Sequence, residues 1–446
     1  MKKFNREKAL RKIEFQRKWR RYSRYVYIAM PCILCGIVGL YLAYSKFFVT
    51  QENDVVQTKV GDFVYGDVII NNYVNGQYAV EAPARGSGYK VDKIVCDDGA
   101  VGEWNARDWG PIISNVTRRS KCNIYFVDAE KVNIGNVAVP LDDYGRCPAA
   151  NADGAVTVTE AESQYGYLCK TKDAYGDSYY YRGNVTNNYV KFAGFYWRII
   201  RINGDGTVRV IYDGTSAHAN GESSSDRQIG TTAFNSSYND NAYVGYMYGK
   251  AGASTYAETH ANTNNSTIKT YLDTWYENNI KGTTNEQYVK DNLFCNDRSF
   301  AKDNSGTGVG TSETHYRLYS FVNKVNNKKM MLICPQNNDA FTVNDTNKGN
   351  GVLTYGIGLV TIDEVVLAGG FGSSNSKYYL YSGEYYWTTS PISFRGSGAA
   401  GNVVLLDGNV TGSGSVNNSA GARPVLNLSS DVLRNGNGTA SDPYHA

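Results

Sequence analysis

Past residue 24 this chain has no run of basic residues, only four histidines, and no closely spaced cluster of metal-ligating side chains. The missing basic stripe argues against nucleic acid as a partner, because such binding needs many phosphate contacts from Lys and Arg. His218, His260, His315 and His445 are widely scattered and mostly lie in polar segments. Each reads as a solvated loop residue. No CxxC…CxxC or Cys/His cluster suggests zinc. No Gly-x-Ser-x-Gly elbow precedes a helix, although a Ser-His-Asp triad assembled from distant positions stays open. Gly396-Ser-Gly398-Ala-Ala-Gly401 matches the dinucleotide fingerprint in letters only. It precedes the strand Val403-Val-Leu-Leu406 instead of following a strand and opening a helix, so it reads as a flexible loop. Asp345-Thr-Asn347 starts like a calcium loop, with no bidentate Glu at the twelfth position.

What the chain does have is concentrated at its start. The first twenty-four residues carry eleven Lys or Arg and two Glu, a charge of +9, which leaves −6 for the rest of a chain of net +3. The uncharged stretch Val26 to Ser45 follows. It has the ~20 residues a helix needs to cross a bilayer, and its basic flank stays cytoplasmic by the positive-inside bias. Ala43-Tyr44-Ser45 resembles a small-x-small cleavage site, yet the apolar run exceeds the ~7–15 residues of a signal-peptide core. The expectation is therefore an uncleaved signal-anchor. A basic tail at 1–25 and a transmembrane helix at 26–49 make a single-pass type II protein with its C-terminus extracellular. The tail also favours anionic lipid. Cys32 and Cys35 read as small apolar residues on one face of the span.

Six cysteines lie beyond the anchor: Cys96, Cys122, Cys147, Cys169, Cys295 and Cys334. An even count in an oxidising compartment implies three disulfides, out of fifteen pairings. Chain order suggests 96–122, 147–169 and 295–334. Residues 51–130 read as an all-β spacer. Asn75-Gly76 between two extended runs is a strong hairpin signal, and Cys122, Ile124 and Phe126 share one face. With Trp104 and Trp109, the first disulfide suggests a small immunoglobulin-like β-sandwich pinned across its core, with a Cys spacing too short for a true one. Residues 131–155, with Pro140 and Pro148, read as a linker.

Residues 156–446 read as an α+β domain. Trp197 to Ile202 turns at Asn203-Gly-Asp-Gly206 into Val208 to Tyr212. Ser266 caps a helix carrying Ile268, Leu272 and Trp275 on one face, ending at Gly282. Thr361-Ile-Asp-Glu364 is a capping box, and Gly369-Gly370 ends the short helix it opens. The fold class expected for the whole chain is mostly β and α+β.

The stretches YYYRGNVTNNYVKFAGFYWRIIRINGDGTVRVIYDGT, FCNDRSF, GIGLVTIDEVVLAGG, YYLYSGEYYWTTSP and ARPVLNLSSDVLRNGNGTASDPY occur in that order. Over about residues 145–446 they resemble an uncharacterised family of Gram-positive bacterial surface proteins. Its C-terminal domain is similar to the formylglycine-generating-enzyme fold, a C-type-lectin-like variant. The resemblance implies an extracellular binding or adhesion protein whose ligand is a glycan, a protein or a wall polymer. An enzyme of the formylglycine-generating type, or a structural part of the envelope, is the alternative. That enzyme's copper-binding cysteines lie a few residues apart, whereas Cys295 and Cys334 are thirty-nine apart, and the iron site of related synthases needs more histidine. No cofactor is expected, although C-type-lectin-like folds often hold a structural calcium.

Tyrosine is the compositional outlier, with 37 residues. Tyr385, Tyr386 and Trp387, with Phe394 and Arg395 on the Gly/Ser-rich segment after them, suggest an aromatic binding surface. Tyrosine also suits half-buried strands, and Trp387 suits a core. Asn296, Asp297 and Arg298 form a second polar group, fit either for binding or for a turn that holds the neighbouring disulfide.

Overall fold

The computed structural model describes residues 11–12, 14–19 and 68–446, except 85–86, 106–107, 118, 130, 142–145, 320 and 322–328. The expected span at 26–49 lies outside the described residues, as does most of the basic tail. Among the described residues no helix is long and apolar enough to cross a membrane. The chain is mostly β with few helices. Its described residues form two compact units, the larger holding 87–90 and 128–446.

The smaller unit contains β1 (Ile69–Val74), β2 (Gln77–Ala79), β4 (Val101–Asn105), β5 (Gly110–Ser114) and most of β3 (Tyr89–Cys96) and β6 (Lys121–Asp128). Asn75 and Gly76 have φ of 49° and 81°. Two successive positive φ angles make the tight turn that matches strand twist, so β1 and β2 pair as the expected hairpin. One sheet runs β2-β1-β6-β3, and β4 with β5 forms a separate ribbon. Cys122, Ile124 and Phe126 on β6 are buried, and Trp104 of β4 packs edge-on against Phe126, 5.5 Å between ring centroids. The immunoglobulin-like expectation for 51–130 needs correction. β1 and β6 are parallel, and the Cys96–Cys122 disulfide, with Cα atoms 4.0 Å apart, joins neighbouring strands of one sheet. An immunoglobulin disulfide instead crosses between two sheets.

The expected linker at 131–155 is also corrected. It opens with a hairpin of β7 (Lys131–Ile134) and β8 (Val137–Pro140). Ile134 is fully buried in the core of the larger unit. Asn136 Nδ2 donates to the Arg434 carbonyl at 2.6 Å. Val132, Ile134, Val137 and Val139 supply enough apolar surface to pack, which outweighs the prolines that follow.

In chain order the larger unit continues with β9 (Gly166–Asp173), β10 (Gly176–Gly183), β11 (Tyr189–Phe192), β12 (Phe195–Ile202), β13 (Val208–Gly214) and β14 (Thr231–Ala233). After these come β15 (Ile357–Gly358), β16 (Tyr386–Arg395), β17 (Gly398–Val404), β18 (Gly412–Ser415), β19 (Ser419–Gly421) and β20 (Val425–Leu428). A seven-stranded sheet runs β9-β10-β12-β13-β20-β15, with β11 paired to β12. A six-stranded sheet runs β14-β19-β16-β17-β18, with Thr314–His315 paired to β16. Of the helices, α1 (Thr267–Asn279) is capped by the Ser266 side chain, and α2 (Ile362–Leu367) has the full capping box of Thr361 and Glu364. Disulfides join Cys147 to Cys169 and Cys295 to Cys334.

Every residue of β13 is buried, as are nine of the ten of β16. Strands covered on both faces carry side chains inward in both directions. The segment 396–401 is corrected for the same reason. Gly396 and Ser397 make the turn between β16 and β17, and Gly398 to Gly401 are paired strand residues.

Candidate functional site

Most of the residues expected to form a binding face are inside. Tyr386, Trp387 and Phe394 are fully buried. The Tyr386 hydroxyl donates to the Leu380 carbonyl at 3.1 Å, and Trp387 Nε1 donates to the Thr232 carbonyl at 3.0 Å. Tyr385 and Arg395 reach solvent. They are ten residues apart along an extended strand, ~30 Å, so they cannot share one small ligand. Arg395 pairs with Glu313 at 3.2 Å. Asn296, Asp297 and Arg298 are buried too. Asn296 accepts from Tyr246 N at 2.9 Å and donates to the Thr389 carbonyl at 2.6 Å. Asp297 pairs with Arg317, and Arg298 with Asp339 at 2.6 Å. These three residues brace the interior beside Cys295.

The interior holds more charge than expected. Arg201 contacts Asp173 at 2.6 Å and Glu364 at 3.2 Å, Arg209 contacts Glu364 at 2.5 Å, and Arg317 contacts Asp363 at 2.7 Å. Burial works to raise the Glu364 carboxyl, but Arg209 and Arg201 outweigh it and hold it below its ordinary value. Perturbed groups of this kind often mark catalytic sites. Here the enclosed space among them is about 20 Å³. That volume holds about one water, whereas small-molecule sites need ~300–1,000 Å³. The cluster clasps α2 to the seven-stranded sheet, and no substrate fits within it.

A second cluster sets three tyrosines, Tyr189, Tyr379 and Tyr386, around buried arginines. Arg198, Arg227 and Arg423 converge on the single carboxylate Asp213, at 4.0, 2.7 and 3.2 Å. The surplus guanidinium donors go to backbone carbonyls, including Tyr379 at 3.0 Å and Leu380 at 2.6 Å. Arg198 lies 3.8 Å from the Tyr189 ring centroid, and Arg423 lies 4.9 Å from that of Tyr386. Ring faces partly neutralise cations that lack a carboxylate of their own. Arginines inside apolar strand runs, as in Trp197-Arg-Ile-Ile-Arg-Ile202, are the sequence signal that could have revealed this.

Two histidines correct the solvated-loop expectation. His218 is buried between Glu222, 2.7 Å from Nδ1, and Asp226, 2.9 Å from Nε2. His218 draws the Glu222 carboxyl below its ordinary value. His260 is buried, with Nε2 2.9 Å from the Gly308 carbonyl and Nδ1 3.3 Å from Arg298 Nη1. His315 is half-buried and stacks on Tyr319, 3.6 Å between ring centroids. His445 is exposed. Among the described residues no group of three or more His, Cys, Asp or Glu is arranged to hold a metal. The Asp345 carboxylate accepts from the Asn347 and Lys348 amides at 2.8 and 3.0 Å, closing its own turn.

An open groove of about 470 Å³ lies at the start of α1, and no charged side chain lines it. Sequence reasoning passed over it because its residues are scattered and individually bland. Ser266, as N-cap, fixes the helix start, so Thr270 and Thr274 stand one turn apart on one face. Both are exposed and line the groove. Ser236 N donates to Thr267 Oγ1 at 2.9 Å, which ties the chain after β14 to the helix. Tyr271 is anchored by its hydroxyl to the Ile229 carbonyl at 3.1 Å. Gly230, at φ 137°, makes room for it, since a Cβ there would sit 2.4 Å from the Tyr271 hydroxyl oxygen. Tyr248 lines the groove and packs edge-on against Tyr243, 5.4 Å between centroids. Asn235 lines the groove as well, and its buried Nδ2 has no hydrogen-bond partner. That nitrogen is itself shielded from solvent, so a ligand seated in the groove does not reach it.

No family model, curated protein or solved structure matches this chain.

Proposed function

We propose that the protein is a membrane-anchored extracellular binding protein. In this reading residues 26–49 hold it in the membrane with the N-terminus cytoplasmic. A C-type-lectin-like domain captures a glycan, protein or wall polymer in the groove at the start of α1. The observation that carries the binding role is the open groove of about 470 Å³ at the start of α1, lined by tyrosine, threonine, serine and asparagine. Three disulfides suit an oxidising compartment. The polar residues of the groove sit on a helix and strand end held by a rigid core, the usual arrangement of a binding site on a scaffold. An enzymatic reading has less support. The buried charged cluster encloses no substrate-sized space, and Cys295 and Cys334 are tied to each other.

The test uses the full-length chain in detergent on arrays of glycans, wall polymers and surface proteins. Thr270→Glu should abolish capture, because it fills the groove with a charged side chain at an exposed helix position. Arg395→Ala should leave capture unchanged. Capture insensitive to Thr270→Glu, or lost in Arg395→Ala, would move the site away from α1.

A further inference from the structure

We infer that the smaller unit docks on an anionic lipid surface through the uncovered face of its four-stranded sheet; this rests on the chain being anchored through residues 26–49. The sheet has one covered face. Cys122, Ile124 and Phe126 are buried there. The β4–β5 ribbon lies over it, with Trp104 against Phe126 and Gly102 so close that a Cβ would sit 2.3 Å from Ile94 Cγ2. The other face carries a row of side chains across all four strands. Tyr78 of β2 packs edge-on against Tyr73 of β1, 6.0 Å between ring centroids. Tyr73 stacks on Tyr125 of β6 at 5.1 Å, and Lys93 of β3 lies 5.2 Å from the Tyr125 centroid. By alternation Ile69 and Val95 stand on this same face. Tyr78, Ile69 and Val95 are 63%, 50% and 48% exposed. Apolar side chains left in solvent side by side mark an interaction surface.

Charge, ring chemistry and reach select a bilayer as the occupant. Lys93 and Lys121 are exposed on this face, and its described strand residues include no Asp or Glu. Asp97, just past β3, gives its carboxylate to the Lys121 amide. Anionic headgroups match this basic face. A second copy would bring like charges together, which opposes self-association. Tyrosine suits the boundary of a membrane, because its ring enters the apolar edge while its hydroxyl stays wet. Ile69 and Val95 add aliphatic surface beside the rings. Residues 50–67, eighteen in all, separate the anchor from the start of the unit. Even fully extended they span at most ~65 Å. The face is thus held near the bilayer at a high effective concentration, where a weak contact suffices.

The test uses the full-length chain with Cys32→Ser, Cys35→Ser and Tyr78→Cys, labelled at position 78 with an environment-sensitive fluorophore. It is placed in phosphatidylglycerol vesicles, in phosphatidylcholine vesicles and in detergent. The expected result is a blue-shifted, brighter emission in the anionic vesicles, quenched by lipid carrying a nitroxide just below the headgroup. Lys93→Gln with Lys121→Gln, both at exposed positions, should lower the ratio of docked to undocked unit about thirtyfold, the equivalent of ~2 kcal/mol. Raising the salt to ~0.5 M should act in the same direction. Emission in anionic vesicles equal to that in detergent, with no quenching, overturns the inference. So does a response that phosphatidylcholine and the lysine pair leave unchanged, because charge then plays no part. Brightening in detergent that grows with protein concentration gives the face to a second copy and overturns it as well. Extraction with alkaline carbonate is read separately. Release of the chain sinks the anchor reading, and a label response that returns on adding anionic vesicles leaves the docking face standing.

Discussion

His260 should make the larger unit lose stability in mild acid. Burial, aided by the neighbouring Arg298 guanidinium, lowers its imidazole from 6.5 to about 3. The geometry agrees with a neutral ring. Nε2–H donates to the Gly308 carbonyl, and unprotonated Nδ1 accepts from Arg298. Protonation would set a second cation 3.3 Å from Arg298 in a dry site. Below about pH 6.5 the unfolded chain therefore binds one more proton than the folded chain, and stability falls with pH until about pH 3. Each pH unit of full difference is ~1.36 kcal/mol. Between about pH 7.5 and pH 5 the loss integrates to ~2 kcal/mol. Guanidinium unfolding of the full chain and of His260→Gln, followed by tryptophan fluorescence at both pH values, isolates this residue. The advantage of the wild type over the variant should shrink by ~2 kcal/mol from pH 7.5 to pH 5. A gap that does not change with pH would show that His260 takes up its proton as readily in the fold as in the unfolded chain, and the packing argument would fail.

Three further outcomes concern the interior and the anchor. Asp213→Asn leaves three buried guanidiniums without their carboxylate and should cost ~3–5 kcal/mol, read as a lower denaturation midpoint. Trp387→Ala should cost ~3–5 kcal/mol by opening a core cavity, in contrast to Tyr385→Ala at an exposed site, which should leave the same midpoint unchanged. A reporter fused after Ala446 should be active outside the cell, and activity on the cytoplasmic side would invert the proposed topology.

The features legible in the sequence were local. Asn75-Gly76 demanded a tight hairpin, Thr361 and Glu364 a capping box, Ser266 a helix start, and chain-order pairing of the six cysteines matches the disulfides found. Each rests on neighbours whose backbone geometry decides the matter. The misreadings concerned what covers a face. Alternation tells which side chains point together. It does not tell whether a second layer lies over both sides, as it does for β16, so Tyr386, Trp387 and Phe394 were placed on a surface they never reach. The same blindness hid Arg198, Arg209 and Arg423, whose carbonyl, carboxylate and ring partners come from distant segments. The groove was invisible because it draws on three separated stretches, around Asn235, Tyr248 and Thr270, none with a motif.

The most direct test of the account is a structure of the full-length chain with a ligand captured from the arrays of glycans, wall polymers and surface proteins. A ligand seated at the start of α1, against Tyr248, Thr270 or Tyr271, is the predicted result. A ligand seated elsewhere, with this groove left empty, would contradict it.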